Sequence, residues 1–371
     1  MDVEYDQRPR RSDNMSTRRS VETIFAVSLL MGASGAVLTT AGPGPRPASS
    51  RHLAPRSVIA FVSTRDDPGA DPALDPSRAW SAAEIYLMDE AGTSVQRLTQ
   101  NSVPDGFPAL SPDGTRIVFD STRRRGADEP FNTSDLFVMK SDGTDQQFLV
   151  RGSSATWSPD GRYVAFHASA SGTGRPIKTD PGAATLDSDI FVLDVRTSAS
   201  TASRPRNLTK DPAAIDDDPS WSPDGRKILF TSHAVTDDPV NSATAEIYSA
   251  NADGTGKPAR LTNNSEEERA PSWSPDGRRI VFSCRHGGPD LEICVMNADG
   301  TGQRALTENS VPDLTPTWSP DGQHIVFHRP VGGAARFQLF MIQADGTAEK
   351  QLTFPPGLNA FPNWGRLGDG R

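Results

Sequence analysis

The chain has 371 residues, with Lys+Arg 38 against Asp+Glu 47 and a formal net charge of −9, and that acidic excess excludes phosphate backbones, so nucleic acid, as partners. Gly 31 and Pro 31 make about one residue in six, which indicates many turns in an ordered chain rather than a low-complexity one. The two cysteines exclude a disulfide scaffold and any thiolate-built metal cluster.

The first 22 residues are polar and include Arg18-Arg19, and an uncharged stretch runs from Thr23 to Gly42. A positive flank, an apolar middle and a small-residue end at Thr39-Thr40-Ala41 read as an export signal over 1–42; a retained N-terminal anchor is the alternative. Residues 43–56, rich in Pro and Ser, read as a linker.

From Ser57 onward the chain repeats itself. Pro-Ala-Leu-Ser-Pro-Asp-Gly (108–114) returns with Trp at 155–161, 219–225, 271–277 and 316–322, and truncated as Pro-Asn-Trp-Gly at 362–365. Each of the five complete copies precedes an apolar run ending in Phe: Phe119, Phe166, Phe230, Phe282 and Phe327. A third run such as Glu246-Ile247-Tyr248 follows, then an Asp-Gly turn such as 252–255, then a run ending in Leu-Thr at 98–99, 208–209, 261–262, 306–307 and 352–353. Short β-branched runs bounded by Pro and Gly are strands, and Pro-Asp-Gly and Asp-Gly set tight antiparallel turns between them. One four-stranded meander cannot bury both its faces, so successive copies stack around an axis.

The strand count fixes the number of blades. The opening copy (Val58–Val62, Glu84–Met88, Val95–Thr99) lacks its first strand, and the chain end supplies a surplus one at Phe361–Trp364. The expected fold is therefore all-β: a six-bladed β-propeller over 57–365, closed by the C-terminal strand joining the N-terminal blade, with a short tail at 366–371. The Trp-Ser-Pro-Asp-Gly, Glu-Ile-Tyr-like, Ala-Asp-Gly-Thr and Leu-Thr elements resemble the WD-repeat-like propeller repeats of TolB-type proteins. TolB proper also carries an N-terminal α/β domain; here a signal and a linker stand before Ser57.

The same topology sorts the connections. Turns between first and second and between third and fourth strands share one face and are short, apart from 197–204. The other face carries the long insertions 64–83, 122–134, 168–188 and 234–245, and such loops on a rigid scaffold are where binding resides. Links entering the inner strands place Asp105, Asp217, Asp218, Arg269 and Asp313 near the mouth of the axial channel, as an acidic funnel for a cationic peptide or as a solvated rim. Trp80, the one Trp outside the repeat, either anchors a partner or packs its own loop. His167, His233, His286 and His328 recur after the second strands, and differing register and distance from the axis make them surface or strand-end residues rather than one metal site. Cys284 and Cys294 fall on neighbouring strands, opposite each other, as a disulfide or as two buried thiols.

No Gly-x-Ser-x-Gly, His-Glu-x-x-His or phosphate-binding glycine loop is present in the sequence. The expectation is an exported, non-enzymatic, cofactor-free monomer that binds a protein, peptide or cell-envelope component through the long-loop face, touching membrane only through an uncleaved anchor. The alternative is a metal-dependent lyase or hydrolase acting on a polysaccharide or ester.

Overall fold

A computed structural model describes residues 56–67, 80, 83–125, 134–169, 188–196, 204–211, 213–234, 245–264, 266–332 and 336–368. The signal and linker at 1–55 and most of the four long insertions lie outside these residues. Among the described residues no helix is long and apolar enough to cross a membrane.

Among the described residues, twenty-four strands form six four-stranded antiparallel sheets. Blade 1 holds β1 (Ser57–Ser63), β2 (Glu84–Asp89) and β3 (Gln96–Arg97), and blade 2 holds β4 (Asp105–Leu110), β5 (Arg116–Ser121), β6 (Asp135–Lys140) and β7 (Gln147–Arg151). Blade 3 holds β8 (Ser153–Trp157), β9 (Tyr163–Ala168), β10 (Asp189–Asp194) and β11 (Arg206–Asn207). Blade 4 holds β12 (Ala214–Trp221), β13 (Lys227–Ala234), β14 (Glu246–Asn251) and β15 (Ala259–Arg260). Blade 5 holds β16 (Glu268–Trp273), β17 (Arg279–Arg285), β18 (Leu291–Asn297) and β19 (Arg304–Ala305). Blade 6 holds β20 (Leu314–Trp318), β21 (His324–Pro330), β22 (Phe337–Gln343) and β23 (Lys350–Gln351).

The last strand, β24 (Asn359–Arg366), pairs with β1 from Ser57↔Arg366 to Ser63↔Asn359 and completes blade 1 as its innermost strand. Side chains reinforce the seam: Trp364 Nε1 donates to Ser57 Oγ at 2.8 Å, and Ser63 Oγ donates to Asn359 Oδ1 at 2.8 Å.

The repeated turns are hydrogen-bonded units. In each Ser-Pro-Asp-Gly the Ser hydroxyl donates to the Asp carboxylate, as Ser222 Oγ does to Asp224 Oδ1 at 2.6 Å, and accepts the amide that starts the next strand, Lys227 N at 2.9 Å. Gly225 closes the turn at φ 71, a conformation that a side chain would strain. Such hydrogen bonds hold Asp160, Asp224 and Asp276 below the ordinary carboxylate range. One Phe per second strand (Phe61, Phe119, Phe166, Phe230, Phe282, Phe327) is fully buried between blades.

The Leu-Thr signature has a physical role that its sequence does not announce. The Thr hydroxyl accepts a third-strand amide: Ile85 N to Thr99, Ile247 N to Thr262 and Ile293 N to Thr307, each at 2.9 Å. A side chain thus replaces the backbone as ladder partner, and the outer strand ends there. This corrects the expected full fourth strand: β3, β11, β15, β19 and β23 have only two residues each. Blade 2, with Leu149-Val150 in that place, keeps a five-residue β7.

Candidate functional site: the channel mouth

Each inner strand carries one β-bulge, and the bulged residues Phe107, Ser154, Asp218, Ala270, Thr315 and Phe361 all have φ between 45 and 51. Five of them precede a proline. A left-handed conformation costs a non-glycine residue on the order of 1 kcal/mol, and a bulge re-aims the side chain it carries. Four of the strained amides are latched by the preceding blade. Ser154 N donates to Asp120 Oδ1, Ala270 N to Thr231 Oγ1 and Thr315 N to Ser283 Oγ, each at 3.2 Å, and Phe361 N to His328 Nδ1 at 3.4 Å.

Because the sheets follow in order around the axis, this ring of six has two unlike sides. Phe361 and Phe107, on adjacent blades, stack at 4.2 Å between ring centroids. Trp80 packs on Phe361 at 5.3 Å and on Phe337 at 6.4 Å, and His328 meets Phe361 edge-on at 5.1 Å. Trp80 is only 8% exposed, so it packs the body rather than presenting itself to a partner. Blade 4, opposite blade 1, contributes Asp217 and Asp218, both half-buried.

The five charged residues expected at the mouth separate into two groups. Asp105 and Asp313 sit two residues before the bulge and are fully buried. Arg123 Nη2 reaches both oxygens of Asp105 at 3.0 and 2.9 Å, and Asn101 adds a bond at 2.7 Å. Arg329 clamps Asp313 at 2.6 and 2.8 Å, with Asn309 at 3.0 Å. These two aspartates tie blade to loop and do not line a funnel; burial pushes both carboxyls up, and their arginines oppose the shift. The corresponding Glu268, beside Glu246, is pushed up to about 7 by burial and that neighbour, with a bond from Asn264 opposing.

Asp217, Asp218 and Arg269 do lie at the bulges. Arg269 is buried and donates to Glu267 Oε1 at 2.5 Å, and Arg285 holds the other Glu267 oxygen at 2.8 Å. Burial, then the charge of Asp218, drives Asp217 well above its ordinary range, and burial raises Asp218 to about 6 against the pull of Arg269.

The histidines need correction. His328 is not at the surface: it is fully buried, bonded to Thr315 Oγ1 at 2.6 Å, and lowered to about 3 by burial. His167 and His328 share one register, directly after the core Phe, but stand in blades 3 and 6 on opposite sides of the ring. Among the described residues, no three His, Cys, Asp or Glu side chains are arranged to hold a metal ion. Cys284 and Cys294 form a disulfide with Cα atoms 5.8 Å apart. They are diagonal rather than opposite, since Cys284 pairs with Glu292 and Cys294 with Phe282.

Sequence reasoning missed the bulge ring and its aromatic side. The signal for both is the residue three before the Trp of each inner-strand string, or before Leu110 in blade 2, which precedes Pro in five of the six copies and changes from copy to copy while its surroundings repeat.

A closed ring of six meanders, with one latched bulge ring at its axis, defines a β-propeller of the TolB-like class. The TolB beta propeller domain family (PD40) matches residues 183–368, half of the chain, and the chain belongs to that family. An uncharacterised protein of Agrobacterium fabrum is 29% identical over 170 residues, 39% of this chain and 54% of that protein. The Tol-Pal system protein TolB of Francisella tularensis subsp. mediasiatica is 35% identical over 80 residues, 21% of this chain and 17% of TolB. The chain thus spans about half the length of the first of these relatives and less than a fifth of the second. Among solved structures, TolB from Acinetobacter baumannii superposes with a TM-score of 0.62 at 21% identity, covering 83% of this chain and 66% of that one. A structure from Agrobacterium tumefaciens described as a TolB gives 0.55 at 20% identity, covering 83% and 92%. At these identities the superpositions speak to the fold.

Proposed function

We propose that this protein is an exported, non-enzymatic propeller that binds a protein, peptide or envelope component through its long-loop face and the channel mouth. The observation that carries the reading is the difference between the two faces. One carries, apart from the 195–205 connection, short turns whose carboxylates bond their own Ser and Thr hydroxyls, as in Asp253–Thr255 and Asp299–Thr301 at 2.6 Å. The other bears the connections 64–83, 122–134, 169–188 and 235–245, together with the end of the channel that the strained bulges line. The name of the Francisella relative, a Tol-Pal system protein, fits a partner in the cell envelope, and residues 1–42 fit export. The closed ring needs no second copy, which fits a monomer.

The test is partner recovery from an envelope fraction by the tagged protein, repeated with 126–133 or 170–187 replaced by short Gly-Ser linkers. Loss of the recovered partner in either variant, with unchanged thermal stability, is the expected result. Equal recovery by the parent and both variants would refute the face assignment.

A further inference from the structure

At the blade junctions a residue near the start of a third strand meets one near the start of the following inner strand, and the pairs are solved differently around the ring. Between blades 6 and 1 the pair is neutral, with Asn359 Nδ2 donating to Gln338 Oε1 at 2.9 Å. Between blades 1 and 2 (Glu84, Asp105) and blades 5 and 6 (Glu292, Asp313), Arg123 and Arg329 neutralise the inner-strand acid. Between blades 4 and 5 the pair is Glu246 and Glu268, both only 2% exposed, and Arg285, which stands where blade 6 has Arg329, bonds Glu267 instead.

Asn264 ties the two glutamates together: its backbone N donates to Glu246 Oε1 at 3.0 Å and its Nδ2 to Glu268 Oε1 at 2.6 Å. Arg260 Nη2 donates to the same Glu246 oxygen at 2.5 Å, and the Thr262 hydroxyl reaches Glu268. Glu246 Oε2 and Glu268 Oε2 remain, shielded from solvent and without a donor, and the two carboxyls stand within hydrogen-bonding reach of each other. Two carboxylates so placed repel, and a single proton between them turns the contact into a hydrogen bond.

The surrounding groups do not supply that proton's charge by other means. On the same strand Arg269 bonds Glu267, and on β12 Asp217 and Asp218 lie in the field of Arg269, while Asp216 is raised beside Asp189. His233 on β13 is lowered to about 4 by burial and so is neutral near pH 7, Glu292 and Asp313 on β18 and β20 lie with Arg329, and Glu266 is half-buried on the link beside Asn264.

We infer that Glu246 and Glu268 share one proton and form a pH-sensitive latch between blades 4 and 5, closed while the proton is held and weakened once it leaves. The backbone link across this junction, Glu268 N to Ala245 O at 2.9 Å, belongs to the same residue, and the bulged Ala270 of the mouth stands two residues on. An unfolded Glu titrates near 4.3, whereas burial and the neighbouring carboxyl raise Glu268 to about 7. The closed junction therefore keeps a proton that an opened one loses. Opening becomes easier by about tenfold per pH unit between about pH 5 and pH 7, and levels off above.

Hydrogen–deuterium exchange of the full chain tests this from pH 5 to pH 8, corrected for intrinsic exchange and run with a chelator so that no bound cation supplies the effect. In the parent, exchange at the Asn264 and Glu268 amides should rise by about tenfold per pH unit up to pH 7. The Leu358 amide, bonded to Thr64 Oγ1 at 3.0 Å beside the neutral Gln338–Asn359 pair, should not follow. Glu268→Gln, which reproduces that neutral pair, should make the profile flat, and Glu246→Gln, which changes the other partner, should do the same. A flat profile in the parent, an equal rise at Leu358, or the parent's slope persisting in either folded Gln variant would each overturn the latch. The comparison of Glu268 with Leu358 within the parent decides the matter even if neither variant folds.

Discussion

Asp120 offers a direct measurement of how the bulge latches depend on charge. Its carboxyl is buried and is bonded by Ser153 Oγ, by Ser134 Oγ at 3.4 Å and by Ser154 N at 3.2 Å. Burial pushes its pKa up to about 8, with those hydrogen bonds opposing and the charge of Asp105 adding slightly. An unfolded Asp titrates near 3.9, so between about pH 4 and pH 8 the folded state holds a proton that the unfolded state lacks. The stability contributed by this group is complete below pH 4 and is lost as pH rises through 8. The slope is about 1.4 kcal/mol per pH unit, which from pH 6 to pH 8 amounts to about 2 kcal/mol, since the group is half-ionised at the upper limit. In Asp120→Asn the carbonyl oxygen keeps the Ser154 amide and the amide donors face the two serines, while the titration disappears. Glu268 contributes in the same direction near pH 7 in both proteins, and His167, His233 and His328, lowered to about 4, 4 and 3, act only below about 6.5. Urea unfolding of parent and variant at pH 6, 7 and 8 reads the difference directly. The variant should gain about 2 kcal/mol on the parent between pH 6 and pH 8. Parallel pH profiles would show that Asp120 is ionised in the folded protein and that burial does not govern this latch.

Removing residues 359–371 takes the inner strand from blade 1, and the shortened protein should show no cooperative thermal transition by circular dichroism, whereas removal of 369–371 alone, which leaves the Leu367 and Gly368 amides bonded to Arg56 and Gly114, should cost little. Trp80→Ala should cost about 3 kcal/mol or more in denaturant unfolding, because the indole packs on Phe361 and Phe337 rather than waiting for a partner. Cys284→Ser/Cys294→Ser opens a short loop closed by the disulfide and should lower stability by about 2–3 kcal/mol, with the parent falling to the same value under reductant.

The ring was legible because its signals are local and repeated: Pro-Asp-Gly and Asp-Gly turns, a Phe per blade, and a strand surplus at 361–364 that can be counted. The short outer strands were not, because Thr262 looks like any β-branched strand residue until its hydroxyl is seen replacing a backbone carbonyl. The site was half legible for a geometric reason. Asp105 and Asp218 both stand shortly before a proline, yet one lies two residues before the bulge and the other on it. That offset sends Asp105 inward to Arg123 and leaves Asp218 at the axis. Alternation alone cannot resolve the difference, because a bulge breaks the period of two. His328 was misjudged in the same way: its strand lies outside the innermost one, but its ring reaches back to the bulged amide of Phe361.

The seam between β1 and β24 sets how the ring answers a mechanical load. Ser57 lies opposite Arg366, so the two ends of the propeller emerge side by side from one antiparallel pair. Tension applied between them peels that pair open one rung at a time instead of shearing all its rungs together. The first rungs to part are those braced by Trp364 and Ser57. A propeller held by one end and tugged at the other therefore yields first at its zipper, while blades 2 to 6 still stand.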